Sequence, residues 1–147
     1  HSNLRIMKNI YLLLITFIFL GNAFGQTLKI NVYGLRNSKG NVRLAFYSNS
    51  ESFDKEKPLF IRIVSKEKVS KGMLMITYND LKPGVYGIAI LDDENANNKM
   101  DYGLMLPDEG FGFSNYYHSS MSRPKFDKFS FTLKNETKSV EIKLRYM

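Results

Sequence analysis

The sequence predicts an all-β protein, a single antiparallel two-sheet sandwich of about seven strands behind a cleavable signal peptide. Three observations carry that reading. Short runs in which apolar and polar residues alternate recur between Thr27 and Tyr146, the period of half-buried strands. Turn residues break those runs at the spacing of roughly 8–12 residues seen in sandwiches. No stretch keeps a 3.6-residue apolar period long enough to give helices that could cover a parallel sheet. A closed barrel is the alternative architecture, and nothing indicates a repeat, a linker or a second domain.

Residues 1–25 read as the export signal. Arg5 and Lys8 supply its positive end, residues 10–20 are an apolar run with one Thr, and Ala23-Phe24-Gly25 gives small residues at the cleavage spacing. Met7 is the expected initiator, which makes residues 1–6 an upstream artefact, and Gln26 is the expected mature N-terminus. The apolar run reaches only about half of a ~30 Å hydrocarbon core, so a membrane anchor is the weaker reading.

The domain is then residues 26–147. In it, alternation marks a strand over 27–33, with Leu28, Ile30 and Val32 facing inward. Residues 34–40 (GLRNSKG) form a turn suited to a hairpin, and 41–48 returns with Val42, Leu44 and Phe46 on one side. Residues 50–57 are polar, with one helical turn pinned to the core by Phe53. After Pro58, residues 59–64 resume as a strand. The charged run 66–71 is a loop, and 72–78 is a strand with Met73 and Met75 facing away from Leu74 and Ile76.

Pro83-Gly84 carries the type II turn signature. Residues 85–91 are almost wholly apolar, which predicts a central strand covered on both faces. Residues 125–133 and 139–146 are expected to close the fold as a hairpin across 134–137.

Composition narrows the chemistry. There is no Cys, so disulfides, thiol catalysis and N-terminal lipidation through Cys are excluded. Without the two basic residues of the signal, 19 basic face 14 acidic residues, a net charge of +5. These cations are scattered singly, as on solvated strand faces, so nucleic acid is not an expected partner.

One stretch stands apart, residues 92–112 (DDENANNKMDYGLMLPDEGFG). It holds six of the 14 acidic residues and a single basic one, Lys99. Asp93, Asn95, Asn97 and Asp101 fall at ligand positions one, three, five and nine of a calcium loop, with the Lys99 carbonyl at seven. Asn98 holds position six, where the chain turns left-handed and Asn is well tolerated.

Position twelve is Leu104 rather than a bidentate Glu, which excludes the helix-loop-helix form of the site. Asp92, Asp108 and Glu109 are the candidates to complete it. The competing reading is that Asp and Asn fill an exposed turn because they suit turns. With two carboxylates at ligand positions, Ca²⁺ affinity is expected at the weak extracellular end, on the order of 10⁻⁴–10⁻³ M.

Residues 34–40, Leu81-Lys82-Pro83-Gly84-Val85-Tyr86, the loop from Asp92 through Asp101, and 109–115 (EGFGFSN) together resemble the signature blocks of a known family. It is an uncharacterised family of small exported bacterial proteins, common in the Bacteroidetes and classed as a domain of unknown function. The resemblance covers essentially the whole mature chain. It implies a transthyretin-like or carboxypeptidase-regulatory-like sandwich of the immunoglobulin-like class, and it brings no established activity. The family usually has Gly where this chain has Ala96 and Asn98.

Two further constellations stand out in the sequence. Residues 109–119 interleave Gly with Phe111, Phe113, Tyr116 and Tyr117. They read either as an aromatic platform for a carbohydrate or peptide, or, as preferred, as rings filling the sandwich end. His118 is the one His of the mature chain. It could be drawn with Asp101, Glu109 or Ser119 as the acid–base pair of a small hydrolase, but a lone His without a nucleophile motif is more often a surface residue. Zinc lacks its His and Cys ligands, and no phosphate-binding Gly loop is present.

The expectation is therefore a non-enzymatic exported protein, periplasmic or extracellular, with a binding or accessory role in the cell envelope and no membrane span after cleavage. Its partner class would be a carbohydrate or a protein.

Overall fold

The computed structural model describes residues 25–97 and 109–147. Alternation in the chain becomes eight strands and two helical turns. In order these are β1 (Thr27–Tyr33), β2 (Asn41–Tyr47), α1 (Ser50–Asp54), β3 (Phe60–Ser65), β4 (Leu74–Tyr78), β5 (Gly84–Asp93), β6 (Phe111–Phe113), α2 (Phe126–Phe129), β7 (Ser130–Leu133) and β8 (Thr137–Lys143). Sheet A has the order β4-β1-β8. Sheet B runs β3-β2-β5-β6, with β7 also pairing β5. The expected two-sheet sandwich is what forms, with eight strands among the described residues.

Period-2 patterning decides what each sheet buries. Leu28, Ile30 and Val32 of β1, Leu74 and Ile76 of β4, and Val140 and Ile142 of β8 turn one face of sheet A inward. They meet Val42, Leu44, Phe46, Tyr86, Ile88 and Ile90 from sheet B in the main core. The opposite face of sheet A stays open, carrying Lys29, Met75, Glu141 and Lys143.

Sheet B is covered twice, which is why β5 lacks polar alternation. On its outer face a second core packs Ala45, Tyr47, Phe53, Phe111, Phe113, Phe126 and Phe129. Phe53 comes from α1, whose N-cap Asn49 accepts the Ser52 N–H at 2.8 Å. Phe126 and Phe129 come from α2. A Cβ on Gly87 would lie 2.6 Å from the Phe126 ring, so the rings rest directly on the β5 backbone.

Four expectations are corrected by the topology. The turn at 34–40 is not a hairpin, because β1 and β2 belong to different sheets and the loop bridges them. The closing pair is not a hairpin either. β7 joins β5 in sheet B, whereas β8 crosses to sheet A and lies parallel to β1, from Thr27↔Thr137 to Tyr33↔Lys143. Residues 126–129 form a helical turn before β7, because Phe126 and Phe129 three apart can then both reach the second core. Finally, Gly84 begins β5 with φ 159°, extended rather than at the roughly +80° of a type II turn.

One side of the sandwich is tied shut. Phe111 and Arg145 exchange backbone hydrogen bonds at 3.0 and 2.8 Å, joining β6 to the extension of β8. Asn115 accepts the Glu141 N–H through its side chain at 2.9 Å and donates its own N–H to the Glu141 carbonyl at 2.7 Å, so it caps the outer edge of β8. No helix among the described residues is long and apolar enough to cross a membrane.

Candidate functional site

The loops that leave the sheets at one pole converge on the end of β5. Strand alternation sends the side chains of Asp92 and Asp93 to opposite faces, Asp92 continuing the inward row of Ile88 and Ile90. Both are fully buried. A carboxylate at the top of an apolar core needs a partner, and Lys66 provides it. Its ammonium lies 2.6 Å from Asp92 Oδ1 with both side chains at 0 % exposure. Oδ1 has no aligned donor, so this contact is Coulombic rather than a well-directed hydrogen bond. Residues 66–71 do form a loop, but its first residue is among the most buried in the protein.

From this pair a closed polar ring extends through four more side chains. Asp92 Oδ2 accepts the Tyr146 hydroxyl at 2.6 Å. The Tyr146 oxygen accepts the backbone N–H of Arg36 at 3.3 Å, and the Arg36 guanidinium lies over the Tyr146 ring at 4.5 Å. Arg36 Nε donates to Glu94 Oε1 at 2.6 Å, and Glu94 Oε2 accepts from Asn37 Nδ2 at 2.9 Å. Asn37 Oδ1 accepts from Lys66 Nζ at 2.9 Å and so returns to the start. Gly40 presses the 34–40 loop against β5. Its φ is +72°, and a Cβ there would collide with the Asp93 carbonyl.

Charge follows from this packing. Burial of the Tyr146 phenol, helped by its hydrogen bond to Asp92, pushes its ionisation well above the ordinary 10.0. Partial burial alone would raise Glu94. The hydrogen bonds from Asn37 and Arg36 outweigh it and hold the carboxyl below its ordinary 4.5.

Of the sequence-derived metal ligands, Asp93, Asn95 and Asn97 lie within the described residues, whereas Lys99, Asp101 and the position-six Asn98 fall outside them. Asp93 Oδ1 and Asn95 Oδ1 both accept the Asn97 backbone N–H, at 3.3 and 3.2 Å. Among the described residues of this loop, Ala96 is left-handed, at φ 51°.

The three residues offered to complete the site divide. Asp92 is committed to Lys66 and Tyr146 and is removed from that set. Glu109 is buried, and Asp108 lies outside the described residues. Among the described residues no three Asp, Glu or His side chains form a metal-sized cluster.

The aromatic segment is structural at Phe111 and Phe113. Phe111 and Phe113 are in the second core, so they cannot form an exposed platform, whereas Tyr117 is 50 % exposed beneath Lys143. His118 is buried rather than a surface residue. It stands edge-on to Phe113, with Nδ1 3.4 Å from the Tyr116 hydroxyl and Nε2 bonded to the Ser122 carbonyl. Asp101, one of the carboxylates drawn with it, lies outside the described residues.

Arg36, Asn37, Lys66 and Tyr146 were missed by reading motifs. The usable signal was periodicity, since Tyr146 extends the inward row Val140, Ile142, Leu144 just as Asp92 extends that of β5.

Two of the four sequence blocks that carried the family resemblance supply ring residues, Arg36 and Asn37 from 34–40 and Asp92 and Glu94 from the loop that follows β5. A family model described as an uncharacterized protein conserved in bacteria, DUF2141, matches residues 30–141. No curated protein and no solved structure matches the chain. The match spans well over half of the 147 residues, and the chain belongs to the DUF2141 family.

Proposed function

We propose that this protein is an exported, non-enzymatic sandwich domain with a binding or accessory role in the cell envelope, and that the loop leaving β5 takes a calcium ion. The ligands in this reading are Asp93, Asn95 and Asn97 by their side chains, the Lys99 carbonyl, and Asp101. One observation carries it. The side-chain oxygens of Asp93 and Asn95 turn onto the same N–H, that of Asn97, so positions one and three of the loop face its inside. The ring around Asp92 supports it by fixing the strand end from which the loop departs.

A binding role also accords with His118, whose ring nitrogens are engaged by a hydroxyl and a carbonyl rather than by a carboxylate. Kinship with transthyretin-like and carboxypeptidase-regulatory domains, and a Bacteroidetes-type source, belong to the same proposal.

The test is thermal unfolding in millimolar calcium and again with excess chelator. A site with a dissociation constant on the order of 10⁻⁴–10⁻³ M adds about 1 kcal/mol at millimolar calcium. In a domain of this size that is a shift of about 3–5 °C. An Asp93→Asn, Asp101→Asn variant is expected to lose the shift. Superimposable curves for the wild-type chain remove the metal from the proposal.

A further inference from the structure

We propose that the free edge of β4 is a self-association surface, on which a second copy of this chain adds its own β4 antiparallel to make a six-stranded sheet A across the dimer. β4 ends sheet A, with β1 on its other side. The direction of its backbone groups can be followed residue by residue. The Leu35 N–H donates to the Gly72 carbonyl at 3.1 Å, on the β1 side. Alternation then turns the groups of Leu74 and Ile76 toward β1, and those of Met73, Met75 and Thr77 away from it.

Met73 is already satisfied, exchanging both bonds with Ser70 at 3.0 Å across a tight turn with Lys71 and Gly72 at φ 52° and 75°. Met75 and Thr77 remain. Among the described residues, no strand lies against their outward N–H and C=O groups. Such groups specify an extended chain as what fits.

Charge selects another copy of the same edge. Residues 72–79 (GMLMITYN) carry no charge in a chain of net basic charge, and Met73 and Met75 are 56 % and 68 % exposed. Natural edges are commonly blunted with Lys, Pro or a cap. β8 is so protected, with Lys138, Glu141, Lys143 and the Asn115 cap. In sheet B the edge strand β3 has Arg62 in its middle, so two copies of it would bring like charges together.

The block at Met73 sets the register. Met75 lies opposite the partner's Thr77, and the two-fold axis passes at Ile76. The uncharged residues 73–79 of the two copies then lie against one another, and Lys71 falls opposite the partner's Leu81, so no cation of one copy meets a cation of the other.

Sedimentation velocity on the chain at about 5 to 500 µM, with hydrogen exchange at both limits, tests the proposal. The expected result is a doubling of mass with concentration and at least about tenfold slower exchange of the Met75 and Thr77 amides in the dimer. Thr77→Pro removes only an outward N–H and is expected to stay monomeric, with its β1 pairing kept. Should that variant not fold, Met75→Lys gives the same reading without altering the backbone.

A chain that remains monomeric throughout overturns the proposal, as does a dimer that Thr77→Pro or Met75→Lys leaves intact. Protection of those two amides in a monomer also overturns it, because another segment of the same chain then covers the edge.

Discussion

Replacing Lys66 with Met removes a buried cation and leaves its length in place. Lys66 and Asp92 are both at 0 % exposure, 2.6 Å apart, and Asp92 then keeps only the Tyr146 hydroxyl on its other oxygen. Removing one member of a buried ion pair typically costs about 3–5 kcal/mol, because the remaining charge must stay desolvated or take up a proton. Asn37 also loses a donor, although its oxygen still accepts the Lys39 N–H at 3.0 Å.

At about 3–5 °C per kcal/mol for a domain near 120 residues, Lys66→Met is expected to lower the melting temperature by about 10–20 °C. Circular dichroism melts with a urea series give both numbers. The combined Lys66→Met, Asp92→Leu variant is expected to regain most of the loss, since an apolar replacement of both partners is often near neutral. A single variant that melts within about 3 °C of wild type would refute the reasoning, as would a double variant no better than the single.

Further outcomes follow from the polar ring, the loop after β5 and the second core. Glu94 has a folded value held below 4.5, so its contribution is complete above about pH 4.5 and is lost as pH falls through the lower folded value. Tyr146 has the opposite sign: raised above 10.0, it stabilises fully below pH 10 and less as pH rises through its folded value. Stability curves of Glu94→Gln and Tyr146→Phe are thus expected to converge on wild type at the acid and alkaline ends respectively.

Ala96 holds a left-handed conformation at φ 51°, which costs a residue with a Cβ about 1 kcal/mol. Ala96→Gly is expected to melt at or slightly above wild type, whereas Ala96→Val is expected to lose about 1 kcal/mol or more. Gly87→Ala drives a methyl into the Phe126 and Phe129 rings and is expected to cost about 1–3 kcal/mol, seen in a melt and in the near-ultraviolet aromatic signal.

The strands were legible because each face is a two-residue pattern. Leu28, Ile30 and Val32 predict their burial, and Met73 and Met75 predict their exposure, without knowledge of any neighbour. The unalternating run 85–91 correctly implied cover on both faces, with sheet A on the inner one and Phe53, Phe113, Phe126 and Phe129 rather than a further sheet on the outer one. Pairing was not legible. The turn chemistry of 34–40 serves a hairpin and a bridge between sheets alike, and only the distant β8 decides between them by taking the place beside β1.

The polar pole was half legible. An acidic run at the end of an apolar strand marks a site, but local sequence cannot say that Asp92 and Asp93 part company across the strand. Lys66 lay hidden in a charged run because its burial depends on a carboxylate 26 residues later in the chain, and long-range charge pairing leaves no local pattern. Among the described residues the loop turns left-handed at Ala96, and Asn98 lies outside them.

The loop itself offers the most direct measurement. In a calcium titration followed by amide resonances, Asp93, Asn95 and Asn97 are expected to shift together with half-saturation on the order of 10⁻⁴–10⁻³ M, while the core amides of Ile30 and Val140 stay still. Resonances of the loop that do not move at about 10 mM calcium, roughly ten times the weakest expected constant, would contradict a cation at this pole.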